Sequence, residues 1–498
     1  MVNARGFLNC FINLRFMIKR LAFLLLFFAG HICTFAQVQA PDDFLGYKIG
    51  TQYTPHFKII NYFNHVAAAL PSVVKLQPYG QTNEGRPLVA AFISSEDNIS
   101  NLENIRNNNL RLAGSAGDKT APAENTPVIV WLSYNVHGNE ASSSEAAMLT
   151  LYELVNPANA QTKAWLKNTI VVIDPCINPD GRDRYVNWFN SVVGKNYNPD
   201  LYAREHREPW PGGRTNHYYF DLNRDWAWQT QYESQQRMEL YQQWLPQIHV
   251  DFHEQGINAP YYFAPAAQPY HELITPWQRA FQVSIGKNNA KYFDANGWLF
   301  FTKEIFDLYY PSYGDTYPIY SGAIGMTYEQ GGGPASGLGA YKKEGDTLTL
   351  ADRVMHHYTS ALSTIETASQ NAGRLIREFR KFFNDAVTTG AGKYKAYVIK
   401  NEPGADQRMA ALTELLDKNN IQYVSSKGNA KGYNYFSGKE ESFTITENDI
   451  VISSIQPRST LISVLFEPGS KLVDSATYDI TAWALPYVFG LKAFALEA

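Results

Sequence analysis

Val128-Ile129-Val130-Trp131-Leu132 runs, through Ser133, into Tyr134-Asn135-Val136-His137-Gly138-Asn139-Glu140-Ala141-Ser142-Ser143-Ser144-Glu145. The first five residues are an unbroken apolar run, the pattern of a strand buried on both faces. Just after it, His137 and Glu140 stand three residues apart, so an imidazole and a carboxylate can grip one metal ion from a single turn. Beyond the turn, Met148, Leu151 and Val155 recur at helical spacing and predict a helix over 144–155, with Ser142 and Glu145 spaced for a capping box. The unit is strand, loop, helix.

Working outward, three further apolar runs, 170–174, 248–252 and 324–328, read as strands. They end at Pro175, His253 and Glu329. Short apolar strands alternating with helices predict an α/β fold, a mixed, mainly parallel sheet flanked by helices. Active groups in such folds gather at the carboxyl ends of the strands. His137, His253 and Glu329 are all expected just past such ends. Along 248–253, alternation sends Ile248, Val250 and Phe252 to one face and His249, Asp251 and His253 to the other.

Upstream, a helix is expected at 56–69 and strands at 73–77 and 87–93, joined by the turn Gly80-Gln81-Thr82-Asn83-Glu84-Gly85. The stretch 113–126 is rich in Gly, Ala and Pro and reads as a loop. Residues 178–224 are polar and read as a long irregular region, of the kind usually kept for function. Downstream lie a helical stretch at 352–386 and a linker, Thr388-Thr389-Gly390-Ala391-Gly392. A strand at 396–400, a helix at 406–419, a strand at 422–425 and an apolar helix at 479–491 then make a smaller C-terminal α/β unit.

A chain of 498 residues exceeds one ordinary domain, and its 45% hydrophobic content can fill a large core. The expected division is a signal peptide over 1–36, a main domain over 37–387 and a small domain over 393–498, cut short at Ala498. Lys19 and Arg20 precede the apolar run 21–29, and Thr34-Phe35-Ala36 resembles a small-residue cleavage site. Export to a periplasmic or extracellular space follows, with no membrane span after signal removal. Met17 is an alternative start. Cys10 and Cys33 leave with the signal, so Cys176 alone remains and neither an internal disulfide nor a cysteine metal site is expected. The formal charge of -4 gives no basic excess for nucleic acid.

A catalytic zinc takes three protein ligands from His and Glu or Asp and keeps one position open. His137 and Glu140 supply two, and His253 is the best third. With these residues in place the chain resembles the metallocarboxypeptidases of the carboxypeptidase A (M14) family, which share the funnelin fold. The likeness spans about residues 42–370 and rests on H-G-N-E at 137–140, N-P-D-G at 178–181, D-L-N-R at 221–224, D-F-H-E at 251–254 and T-Y-E-Q at 327–330, in the family's order.

The resemblance implies one zinc ion per chain, held by His137, Glu140 and His253. It makes Asp221 the acid that orients His137, and Asn223 and Arg224 the pair that holds the substrate's terminal carboxylate. It makes Glu329 the general base and acid. Arg214 matches the arginine that polarises the scissile carbonyl, with Arg204 and Arg207 as rivals. Tyr313 is matched to the mobile tyrosine, with Tyr309, Tyr310 and Tyr317 competing. Asn139 and Glu254 depart from the family's digestive members, which carry arginine and serine there. The expected function is an exported zinc-dependent metallocarboxypeptidase acting on peptides or proteins with a free C-terminal carboxylate. The alternatives are an enzyme of the same family acting on peptidoglycan stem peptides or N-acyl amino acids, and a non-catalytic peptide-binding module.

Overall fold

The computed structural model describes residues 38–115, 121–472 and 482–497. The expected signal peptide over 1–36 lies outside the described residues. Ala40–Ala498 falls in one compact unit. Its main sheet has eight strands: β1 Val74–Gln81, β2 Pro87–Ile93, β3 Val128–Tyr134, β4 Thr169–Asp174, β5 Ile248–Gly256, β6 Tyr261–Tyr262, β7 Phe300–Phe301 and β8 Ile324–Gly332. Their order in space is β1-β2-β4-β3-β5-β8-β6-β7. The four central strands are parallel neighbours, and β1, β2 and β6 pair antiparallel at the flanks. The fold is α/β, with a mixed, mainly parallel sheet flanked by helices.

Both faces of this sheet are covered, which is why β3 and β4 are buried along their whole length and read as continuous apolar runs. On one side the helix Leu350–Gln370 packs against the helices Ser142–Val155 and Pro276–Asn296. On the other, the helix Tyr232–Trp244 lies on β1. On β5, Phe252 turns to the first side, its ring edge-on to His357 at 5.3 Å. His249 turns to the other, its ring edge-on to Trp226 at 5.1 Å.

The structure corrects four expectations. β5 and β8 pair on through Gly256 and Gly332, so His253 and Glu329 lie within strands rather than past their ends. No capping box forms at Ser142: Glu145 is drawn into a fully buried pair with Arg182, and the Ser142 hydroxyl donates to Glu254. The region 178–224 is not irregular throughout, since Pro179–Val192 is a helix whose first turn is capped by the Asn178 side chain on Gly181 N. Of the expected helix at 479–491, residues 479–481 lie outside the described residues, and among the rest only Leu485–Val488 is helical.

Between the two sheets in sequence, β9 Gly339–Tyr341 and β10 Thr347–Thr349 form a small hairpin. The second sheet holds β11 Ala396–Ile399, β12 Val424–Ser425, β13 Gly428–Asn434, β14 Lys439–Ile445, β15 Ile450–Ser453 and β16 Ala493–Leu496. It is antiparallel throughout, with β16 inserted between β11 and β13. Among the described residues no helix is long and apolar enough to cross a membrane.

Candidate metal centre

The turn after β3 is built on Asn135, whose backbone enters the left-handed region at φ 61°. Asparagine tolerates that conformation better than most residues. Its carboxamide nitrogen donates to the carbonyls of His137, Gly138 and Glu140 at 2.7, 3.2 and 3.1 Å, which folds the turn on itself. Its oxygen accepts from Arg182 at 3.0 Å. Gly138 has no room for a side chain: a Cβ there would lie 2.1 Å from Arg182 N and 2.6 Å from Gly213 O. So the turn, the start of the helix Pro179–Val192 and the loop before Arg214 meet backbone to backbone.

This packing turns His137 and Glu140 inward, both buried. β5 brings His253 to them from the neighbouring strand. His137 Nδ1 lies 2.9 Å from Glu140 Oε1, and His253 Nδ1 lies 3.2 Å from both Glu140 Oε2 and His137 Nδ1. The opposite nitrogens each face a carboxylate: His137 Nε2 is 2.9 Å from Asp221 Oδ1, and His253 Nε2 is 2.8 Å from Asp251 Oδ2. Give each Nε2 a proton for its carboxylate and both Nδ1 atoms become lone pairs. Two lone pairs and an acid then converge with no donor among them. A cation is what such a set fits, and two imidazoles with one carboxylate are the donors of a catalytic zinc. Without an ion, burial would raise the Glu140 carboxyl, yet His137 and His253 hold it well below its ordinary value. Burial would likewise lower His253, but Asp251 and Glu140 raise it well above the usual histidine range.

The remaining candidates gather at the same rim with different success. Arg214 donates from Nη1 to Glu140 Oε1 at 3.2 Å and from Nη2 to Asp221 Oδ2 at 3.1 Å, with its side chain half-exposed. Its rivals Arg204 and Arg207 lie on the surface, Arg207 over the Tyr202 ring. Asp221 also accepts from Asn223 N at 2.9 Å. His137 and Arg214 hold its carboxyl low against burial. Glu329 sits opposite His253 in the β5–β8 register, buried. Burial pushes its carboxyl up to about 8; His253 and Arg214 oppose the rise and Glu140 adds to it.

Asn223 and Arg224 follow Asp221 on a short turn. The Asn223 oxygen accepts from Gly314 N at 2.8 Å, and its nitrogen lies 3.4 Å from His253 Nε2. The Arg224 guanidinium rests 4.7 Å from the centre of the Tyr313 ring, and Tyr313 is buried. Of the competing tyrosines, Tyr310 accepts from Trp228 Nε1 and Tyr317 donates to Asn419; all three, Tyr309 included, are buried.

Three residues matter here that the sequence did not single out for a role. Asp251, two positions before His253, was visible only as a residue on the same strand face. Asn139 donates to Glu208 Oε2 at 2.7 Å, and Glu208 also binds Gly213 N, so this departure tethers the loop of Arg214. Glu254 turns away from the metal ligands: it takes Ser142 N and Oγ on one oxygen, and Arg353 and Gly333 N on the other. Its pair with Arg353 is fully buried.

Residues 59–246 match the family model for zinc carboxypeptidases. Over that stretch the chain is similar to the zinc carboxypeptidases. That match contains H-G-N-E, N-P-D-G and D-L-N-R, while D-F-H-E and T-Y-E-Q lie beyond it. No curated protein matches this chain. Similar solved structures include a metallo-carboxypeptidase from Burkholderia cenocepacia at 16% identity, covering 65% of this chain and 70% of that one, with a TM-score of 0.43. The carboxypeptidase A of Helicoverpa armigera is 15% identical, with 68% and 80% covered and a TM-score of 0.41. Bovine thrombin-activatable fibrinolysis inhibitor, solved with a tick carboxypeptidase inhibitor, is 14% identical, with 66% and 99% covered and a TM-score of 0.42.

Proposed function

We propose that the protein is an exported zinc-dependent metallocarboxypeptidase that hydrolyses C-terminal peptide bonds through a metal-activated water. The convergence of His137 Nδ1, Glu140 and His253 Nδ1 on one point, with Glu329 opposite His253, is the observation that carries this reading. Zinc held by these three residues would act as a Lewis acid that lowers the pKa of water and polarises a carbonyl. Asp221 and Asp251 keep the two imidazoles in the tautomer and orientation that ligation needs. Glu329 takes the proton from the attacking water and passes it to the leaving amine. Arg214, half-exposed beside Glu140, has donors to offer the oxygen on which charge develops. Arg224 faces the terminal carboxylate with a guanidinium fork, and Tyr313 beneath it holds that fork in place. In this reading residues 37–387 are the catalytic domain and 393–498 a smaller α/β domain.

A digest of a peptide library, followed by mass spectrometry with and without a chelator, tests the proposal. Chelator-sensitive loss of residues from the C-terminus is expected; cleavage indifferent to chelator, or none, defeats it.

The Asn223 oxygen accepts from Gly314 N, which leaves its amide nitrogen, the atom that can donate to a carboxylate, to act beside the Arg224 fork. Arg224→Ala should therefore cripple turnover of free acids and spare an acyl amide without a free carboxylate.

A further inference from the structure

The segment that carries Arg214 and Asp221 also holds aromatic rings out in water. Trp210 is 85% exposed and Tyr219 53%, with Tyr218 and Phe220 exposed beside them. Trp210 and Tyr219 meet, and contiguous exposed apolar surface marks a place where something binds.

The rings are held, not loose. Buried Asn216 clamps the turn: its side-chain oxygen accepts from Tyr218 N at 3.1 Å and Phe220 N at 3.0 Å, and its carboxamide nitrogen donates to Gln231 and Glu233. Tyr219 is forced to φ 66°, where a bulky residue goes only when its surroundings impose it. There its ring meets Trp210 at 5.6 Å and lies 5.4 Å from the Arg184 guanidinium. Arg184 in turn donates to the carbonyls of Gly212 at 3.0 Å and Asn216 at 3.2 Å, joining the two ends of the loop. These contacts fix the ring at the surface yet leave it half-exposed, an arrangement that suits binding.

Trp210 precedes Arg214 by four residues and Tyr219 precedes Asp221 by two, so each ring starts within about 15 Å of the site by chain length alone. An extended peptide advances about 3.3 Å per residue. We infer that Trp210 and Tyr219 form an aromatic docking subsite for the peptide substrate, receiving an apolar or aromatic side chain two to four residues upstream of the scissile bond. This rests on the carboxypeptidase reading, in which the terminal residue faces Arg224 and only the upstream chain runs out over the surface.

The test uses zinc-loaded Glu329→Gln protein, which binds without turnover, and labelled pentapeptides read by fluorescence anisotropy. A peptide with Phe three residues before its C-terminal residue should bind about tenfold tighter than the same peptide with Ala there. Adding Trp210→Ala should erase that preference and Trp210→Phe should keep it. Tyr219→Gly relieves the left-handed backbone, so it should erase the preference while raising the melting temperature, which a merely structural tyrosine would not do. Equal binding of the two peptides, or a preference that survives both substitutions, overturns the inference. So does Trp210-dependent binding of a chitin oligosaccharide with no Phe preference. The same peptides amidated at the C-terminus test the underlying reading: equal binding of acid and amide counts against a carboxypeptidase and leaves the Phe–Ala comparison intact.

Discussion

At the scale of single residues, the centre divides its work between groups that touch the ligand position and groups that aim them. Glu329 lies opposite His253 in the β5–β8 register, whereas Asp221 and Asp251 each hold an imidazole. Glu329→Gln should reduce hydrolysis about 100-fold or more, since it removes the proton carrier. Zinc content by metal analysis should stay near that of the wild type; undiminished turnover would remove Glu329 from its role. Asp251→Asn keeps the shape but weakens the hold on the His253 proton. Zinc affinity, measured by competition with a chromophoric chelator, should drop about 10- to 100-fold, and an unchanged affinity would assign Asp251 to packing alone.

At the scale of elements, what the sequence disclosed depended on whether apolar side chains did the building. The helix His56–Ala69 and the strand Pro87–Ile93 fall where periodicity puts them, because their cores are aliphatic and aromatic. The ends of β5 and β8 were not legible, because there the backbone ladder continues beneath His253, Glu254, Glu329 and Gln330, and polar residues read as loop. The helix Pro179–Val192 hid for a like reason: its N-terminal signals, Asn178 and Pro179, sit before a polar sequence. Glu145 had the spacing of a capping residue, yet a guanidinium 37 positions away took it. No spacing rule sees such a partner. This pair clamps two elements, since Arg182 also donates to the carbonyls of Thr54 and Ala141. Arg182→Met should therefore destabilise the fold by about 3–5 kcal/mol, because it strands a buried carboxylate. Urea unfolding measures this, and a loss under about 1 kcal/mol would show that Glu145 simply takes up a proton. For the site, five motifs gave its parts, but only the structure separates N-P-D-G, which caps and packs, from D-L-N-R and D-F-H-E, which supply the groups at the metal. The polar hairpin of β13 and β14 left no apolar alternation to read.

At the scale of the whole molecule, buried acids tie stability to pH. Burial pushes Asp174, which accepts from Tyr79 at 2.8 Å, up to about 7, and Asp315 likewise. Both folded values lie above the ordinary 3.8. Between about pH 4 and 7 these two acids keep protons in the folded protein that the unfolded chain has released, so their contribution to stability falls as pH rises through that window. Buried His56 and His249, lowered to about 4, contribute with the opposite sign. Asp174→Asn preserves the acceptor for Tyr79 without a titrating group. Relative to the wild type, its urea midpoint should therefore gain as pH rises from 4.5 to 7.5; a constant difference would place the sensitivity elsewhere.

The pairing of His137 with His253 spans 116 residues of chain. A ligand set so divided would make an ion held there a late arrival in folding. His137 and Glu140 alone can offer a nascent chain only a loose two-point hold, and the third ligand exists only once β3 and β5 lie side by side. Closing so long a loop is slow compared with forming a local helix. Zinc should thus leave the refolding rate almost untouched and act on the rate of unfolding instead, a brake on departure from the native state rather than a guide toward it.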